Sequence, residues 1–280
     1  SEISAEDALR AIEQNVIIQL SDKDWATLSF PDGKTLTKDA FVQTMKQQLA
    51  QVVSSLGCPD WIDRWYKRNP DGKFTIGIVL NDKKSVGSGD YAKDSTRLYY
   101  LDRTLLESGT APMIPGLVRI IMGPMRTSST LYFGFTFFFQ DTLAPSPKIP
   151  YFGLNMHSFA QFCLTDASSK ESAEAVFDHI GSQDNYTQYS TVFSRQNYQA
   201  AAVMSISFTE YLIEHYGIRA VRQVINAGNM EWAYLDSCGQ SLGELRDAWK
   251  QWVLQLPNPL TEQDIQTAYS NGGISTESQN

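Results

Sequence analysis

Histidine and cysteine are scarce, with three of each in 280 residues. Cys58, Cys163 and Cys238 stand far apart and form no Cys-x-x-Cys pair, which excludes zinc-ribbon and thioredoxin-like chemistry. An odd count is no disulfide framework. One bridge stays open as an alternative, but three buried small hydrophobes is the favoured reading. His157, His179 and His215 are isolated, with no second histidine at i+3 or i+4. Long hydrophobic runs are missing too: the longest aromatic stretch, Leu131 to Phe139, falls far short of the ~20 residues of a membrane span. Basic residues number 23 against 31 acidic ones, without the clustered footprint that nucleic-acid binding needs. There is no Gly-x-Ser-x-Gly elbow, Ser-x-x-Lys, P-loop or dinucleotide fingerprint. Gly87-Ser88-Gly89 therefore reads as a loop, and the sequon Asn185-Tyr186-Thr187 is of a kind that often arises by chance.

What is present is a large apolar fraction, 42%, too high for a disordered chain. A chain of this length buries a core without disulfides or metals. Residues 5–14 read as an amphipathic helix and 16–20 as a strand. The stretch 36–56 places Phe41, Met45, Leu49, Val52 and Val53 on one helical face, with Gly57 as a stop signal. Phe74 to Leu80 is β-rich, and Leu98 to Leu101 is a shorter strand, with a Gly/Ser loop at 85–90 between them. Helices are expected at 116–122 and 129–143, then near 157–164, 170–180, 197–216, 218–227 and 241–255. The expected order is an α/β part over 1–110, a helical lobe over 111–258, and a C-terminal tail over 259–280, partly disordered from about 270.

The segment 111–165 carries one carboxylate, Asp141, and the bases Arg119, Arg126 and Lys148. That is thin equipment for hydrolysis. Asp178-His179 on one helix would point in different directions, so a solvated helix face is the simpler reading. His215 falls in the last turn of a helix, where a cation suits the dipole. His157 lies near a helix start and reads as a capping or packing residue.

Further along stand Tyr198-Gln199-Ala200-Ala201, then Ser207-Phe208-Thr209-Glu210-Tyr211-Leu212-Ile213-Glu214-His215-Tyr216-Gly217, and last Ser241-Leu242-Gly243-Glu244-Leu245 leading to Trp249 and Trp252. With the preceding order of elements, this is similar to the gluzincin-type zinc metallopeptidases, the thermolysin-like MA superfamily. Its bacterial members often carry an SFxxYLIExYG helix and a final SLxELxxxWxxWL helix. The resemblance covers roughly residues 70–255. It implies an α+β, zincin-like fold: an N-terminal mixed sheet with helices, then an all-helical C-terminal lobe, with helices 116–122 and 129–143 packed together.

The family's His-Glu-x-x-His helix and its following Glu helix supply three zinc ligands and a general base. Alignment on the aromatic pattern puts Pro115 and Arg119 at the histidines, Gly116 at the base, Phe133 at the third ligand and Phe137 at the next glutamate. No histidine or glutamate occurs from 108 to 156 in any register. Phe133 and Phe137 share a face at i, i+4, with Leu131, Phe135, Phe138 and Thr142 on the other side, so the helix reads as buried.

The resemblance therefore implies a non-catalytic pseudoenzyme, without zinc or other cofactor, that binds a peptide or protein. Arg126, Tyr132, His157 and Tyr198 are its candidate cleft residues. One rival is an active hydrolase with a non-standard constellation, drawing on Tyr198, His157 or His179 with carboxylates such as Glu210. Another is a plain interaction domain. The chain opens on Ser1 in a polar stretch without a recognisable signal peptide, which fits a processed protein. Extracytoplasmic placement, secreted or membrane-anchored, is what the resemblance adds.

Overall fold

The computed structural model describes residues 2–65, 68–91, 96–123, 129–145, 153–184 and 186–271. The chain divides into two units, Ser1–Pro124 with Phe139–Ser146, and Met125–Phe138 with Pro147–Asn280. Together they are mixed α/β: mostly helix, with one small four-stranded mixed sheet. Among the described residues no helix is long and apolar enough to cross a membrane.

The first unit runs α1 (Ala5–Asn15), β1 (Val16–Gln19), α2 (Asp22–Trp25), α3 (Lys38–Leu56), α4 (Trp61–Trp65), β2 (Phe74–Asn81), β3 (Val86–Tyr91), β4 (Arg97–Asp102), α5 (Arg103–Ser108) and α6 (Ile114–Met122). The last turn of α7 (Thr130–Leu143) also belongs to it. Strand order is β1-β2-β4-β3, with β1 and β4 parallel to β2, and β3 antiparallel to β4. The parallel β1–β2 pair needs a crossover, which α2 to α4 provide. Phe74, Ile76 and Ile78 of β2 are buried, a nearly unbroken apolar run suited to a strand inside a parallel sheet.

Most of the Gly/Ser segment 85–90, where the sequence reading expects a loop, belongs to strand β3, Val86–Tyr91. Val86, Gly87 and Ser88 pair with Leu101, Tyr100 and Tyr99. An edge strand without apolar alternation gives no sequence signal, and pairing decides its state. Gly89 has a packing reason: a Cβ there would collide with the Tyr100 ring, whereas one on Gly87 would stand in open space. The register then breaks between Ser88 and Tyr91, a bulge-type irregularity at the edge.

Thr37 caps α3 by accepting from the Ala40 N–H, and Gly57 ends it in the left-handed region at φ 61°. Its buried stripe is Phe41, Met45, Leu49, Val52, Val53 and Leu56. α6 packs on α3 and β3, and every α6 residue but Arg119 is buried. Tyr99 donates its hydroxyl to the Met113 carbonyl just before α6. The expected packing of 116–122 on 129–143 involves helices of different units, save at the last turn of α7. There Gln140 Oε1 accepts from the Ile114 N–H at 2.9 Å.

The second unit takes the rest of α7, then α8 (Met156–Thr165), α9 (Lys170–Phe177), α10 (Tyr186–Val192), α11 (Tyr198–Tyr216), α12 (Ile218–Asn226), α13 (Met230–Cys238), α14 (Leu242–Leu254) and α15 (Glu262–Asn271). α11 is its axis. All residues from Ala200 to Leu212 are buried, and α8, α9, α12 and α14 pack round it. Ser241 and Glu244 form a reciprocal capping box at the start of α14.

α13 and α15 go beyond the sequence reading. Ile265, Ala268 and Tyr269 of α15 are buried, so residues 262–271 are packed helix and not tail. The signal was there: Thr261 Oγ1 accepts from the Asp264 N–H while the Asp264 carboxylate accepts from Thr261. The expectation for 272–280 falls outside the described residues. Cys58, Cys163 and Cys238 are buried free thiols, which removes the alternative of a bridge.

Candidate functional site

The positions that the family resemblance assigns to zinc come first. Pro115 and Gly116 are buried in α6, and a Cβ on Gly116 would lie 2.6 Å from the Tyr99 ring and 3.1 Å from the Ser88 backbone nitrogen. Gly116 thus serves close helix–sheet packing, and no larger residue, glutamate included, fits there without displacement. Arg119, half-buried, is the one polar side chain of α6. In the second unit Phe133 is 8% exposed and Phe137 half-buried, their rings 4.6 Å apart, with Phe193 4.8 Å from Phe133. Zinc takes nitrogen, oxygen or sulfur donors that have lost their proton. Two aromatic rings, a proline, a glycine and a guanidinium offer none, so zinc does not fit these positions.

The described members of the proposed cleft, Tyr132, His157 and Tyr198, all belong to the second unit. Tyr132 is buried. Tyr198 opens α11, 37% exposed, with its ring beside Phe193. Arg126 lies outside the described residues. His179 sits past the end of α9, which stops at Phe177, so Asp178-His179 is not on a solvated helix face as expected. Its ring faces the buried Asp184 carboxylate at 3.5 Å, and its carbonyl accepts from Thr130 Oγ1.

His157 is different. Asn155 caps α8, its Oδ1 accepting from the N–H groups of His157 and Ser158, which fixes the first turn. The His157 ring is 7% exposed and points to α11. There Ser207, Glu210 and Glu214 recur at helical spacing on one stripe. His157 Nδ1 lies 2.8 Å from Ser207 Oγ, and Nε2 lies 3.1 Å from Glu214 Oε1 and 3.7 Å from Glu210 Oε2. α14 closes the pocket. The Trp249 indole donates to Ser207 Oγ at 3.0 Å, and Trp252 meets the imidazole edge-on at 4.7 Å. Among the described residues this is the one grouping of three or more histidine, cysteine or carboxylate ligand atoms within reach of one ion.

The chain Ser207–His157–Glu214 has the order of a serine-hydrolase relay, but not its access. Ser207 is fully buried and its oxygen already accepts from Trp249. No substrate carbonyl can reach it. Ser207 instead fixes the ring, and the active edge is Nε2, facing one buried carboxylate and one half-exposed one. Tyr211, next to Glu210, holds its ring 4.0 Å from that of His215, tilted by 36°. Burial, with some help from Tyr216, holds its hydroxyl above the usual phenol range. Cys163, deeper in α8, is pushed up to about 12 by burial and is inert as a thiolate.

The sequence reading pairs His157 with Glu210 only as a rival hypothesis, and leaves out Ser207 and Glu214 as site residues. The available signal was two glutamates at i, i+4 inside an otherwise uncharged stretch of helix, 200–214. What no spacing shows is that α8 carries a histidine to the same stripe. No known family, no characterised protein and no solved structure matches the chain. Function is therefore read from the residues alone.

Proposed function

We propose that the chain is a non-catalytic, metallopeptidase-like protein that serves as a peptide- or protein-binding module. The observation that carries the reading is the filling of the five positions the resemblance assigns to chemistry. Pro115 and Gly116 are packed into a helix–sheet contact, Phe133 and Phe137 into an aromatic cluster, and Arg119 carries the wrong charge for a cation. A zincin-like arrangement, with the sheet before the helices, and an extracytoplasmic location belong to the same proposal. The test uses the full chain, untagged, with casein and a quenched fluorescent peptide library, with and without a zinc chelator. The expected outcome is no chelator-sensitive cleavage, together with saturable retention of a subset of immobilised peptides. Cleavage abolished by the chelator overturns the reading.

A second reading, a hydrolase of non-standard constellation, is favoured by the convergence of His157, Glu210 and Glu214. An imidazole held between carboxylates can pass a proton. Ester or peptide hydrolysis that survives chelation and is lost in His157→Gln would establish it.

A further inference from the structure

We infer that His157, Glu210 and Glu214 form a binding site for one divalent first-row transition ion, in the second unit and independent of the binding-module reading. The donor geometry comes first. Adjacent tetrahedral or octahedral ligands at about 2.0–2.2 Å from a metal stand roughly 2.8–3.6 Å from one another. Nε2 to Glu214 Oε1 is 3.1 Å and Nε2 to Glu210 Oε2 is 3.7 Å, and all three ligand atoms lie within 4.8 Å of each other. Small rotations of two carboxylates close the remaining difference.

The charge balance comes second. Glu210 and Glu214 are like charges at i, i+4 on one face, an arrangement that costs helix stability, and the Glu210 carboxylate is buried. Even a protonated His157 leaves one net negative charge among the three groups. A divalent ion bound by neutral imidazole and two carboxylates leaves none.

The surroundings supply the rest. A ligating histidine needs its second ring nitrogen held. With Nδ1–H donating to Ser207 Oγ, the Nε2 lone pair faces the carboxylates. The Asn155 cap and the Trp252 edge fix the ring further. One nitrogen and two carboxylate oxygens select a first-row ion over calcium or magnesium, which take all-oxygen sites. Glu214, half-exposed, gives the ion its way in. Three protein ligands leave at least one coordination position for water or for a donor group of a bound partner.

The test is equilibrium dialysis of the chelator-stripped full chain against zinc chloride, with wild type, His157→Ala, Glu214→Gln and Ser207→Ala compared. Circular dichroism confirms that each variant is folded. Wild type is expected to take up one zinc per chain and to melt at a higher temperature with it. Trp252 fluorescence should be quenched when cobalt replaces zinc. Glu214→Gln is expected to weaken zinc at least tenfold, and Ser207→Ala ten- to hundredfold through loss of ring orientation. His157→Ala should abolish the stoichiometric site. A tenfold excess of calcium should not displace zinc. The inference is overturned by any of three results: no zinc on wild type, zinc uptake unchanged in folded Glu214→Gln and His157→Ala, or calcium binding as tightly as zinc. None of these touches the peptide-binding reading. Conversely, chelator-sensitive proteolysis would end that reading and leave the site standing.

Discussion

Two helices of the second unit cross at close range and solve burial in opposite ways. α7 meets α11 at Gly134, where a Cβ would lie 2.3 Å from the Ser205 carbonyl oxygen and 2.2 Å from Thr209 Oγ1. From Leu131 through Phe139, α7 carries carbon, the Tyr132 hydroxyl and Thr136, whose hydroxyl returns to its own helix at the Phe133 carbonyl; Thr130, in its first turn, instead donates to the His179 carbonyl and accepts from the Gly181 N–H. α11 buries Ser205, Ser207, Thr209 and Glu210. Ser205 and Thr209 also bond backward within the helix, to the carbonyls of Ala201 and Ser205. Ser207 and Glu210 do not follow that pattern: they point across to α8 and α14. A buried polar group satisfied by its own turn says nothing of function. One satisfied only by converging elements is held for a purpose or is costly to keep.

The largest test of the contrast lies on the apolar side. Phe135 is fully buried and Phe133 nearly so. Either truncated to alanine leaves a cavity and is expected to lose about 3–5 kcal/mol. Urea unfolding measures it. A loss near zero for Phe133→Ala would turn its ring from core into a surface held for a ligand. The crossing itself comes next. Gly134→Ala gains about 1 kcal/mol of helix propensity. It also drives a methyl into backbone of α11 that cannot rotate away, an overpacking cost of roughly 1–3 kcal/mol or more. Net destabilisation is expected. A neutral or stabilised variant would show that the helices stand further apart.

The same contrast separates what the sequence could tell from what it could not. α3 was readable because its apolar stripe, its Thr37 cap and its Gly57 stop agree. α14 was readable from a capping box and two tryptophans. The edge strand β3 was not, because Gly87, Ser88 and Gly89 have low strand propensity and are held there by β4 and the Tyr100 ring. α15 reads as tail in the sequence because its polar majority hides three buried side chains. Glu210 and Glu214 stand one turn apart in the sequence, though only Glu210 enters the sequence reading as a site residue. His157 reads as an isolated histidine because its partners lie on α11 and α14, some 50 to 95 residues away.

A smaller effect follows from the thiols. Burial pushes Cys163 up to about 12 and Cys238 up to about 11. Both titrate near 8.5 in an unfolded chain. Between those values the unfolded chain has lost protons that the folded chain keeps, so stability falls as pH rises. Below about pH 8 these groups contribute no slope. Melting temperature should therefore decline from pH 8.5 to 10.5, and Cys163→Ala should flatten the decline. At pH 8 the three thiols should react with iodoacetamide far more slowly in native protein than in urea. Rapid native labelling of Cys163 would place it outside the core.

The smallest effect on stability is expected where the effect on metal is large. Glu214→Gln keeps the size of the side chain and an oxygen that can accept from His157 Nε2–H. Its carboxylate is half-exposed, and ion pairs of that kind are worth about 0–1 kcal/mol in water. Removing one of two like charges at i, i+4 returns a few tenths of a kcal/mol. The two terms oppose each other, so metal-free Glu214→Gln should unfold within about 0.5 kcal/mol of metal-free wild type. The difference should open only when zinc is added, because a ligand that binds the folded state stabilises it by mass action. A loss above about 1.5 kcal/mol without metal would mean that the Glu214 carboxylate braces His157 on its own account. The cluster would then be a structural ion pair, and α11 would differ from α7 in composition but not in purpose.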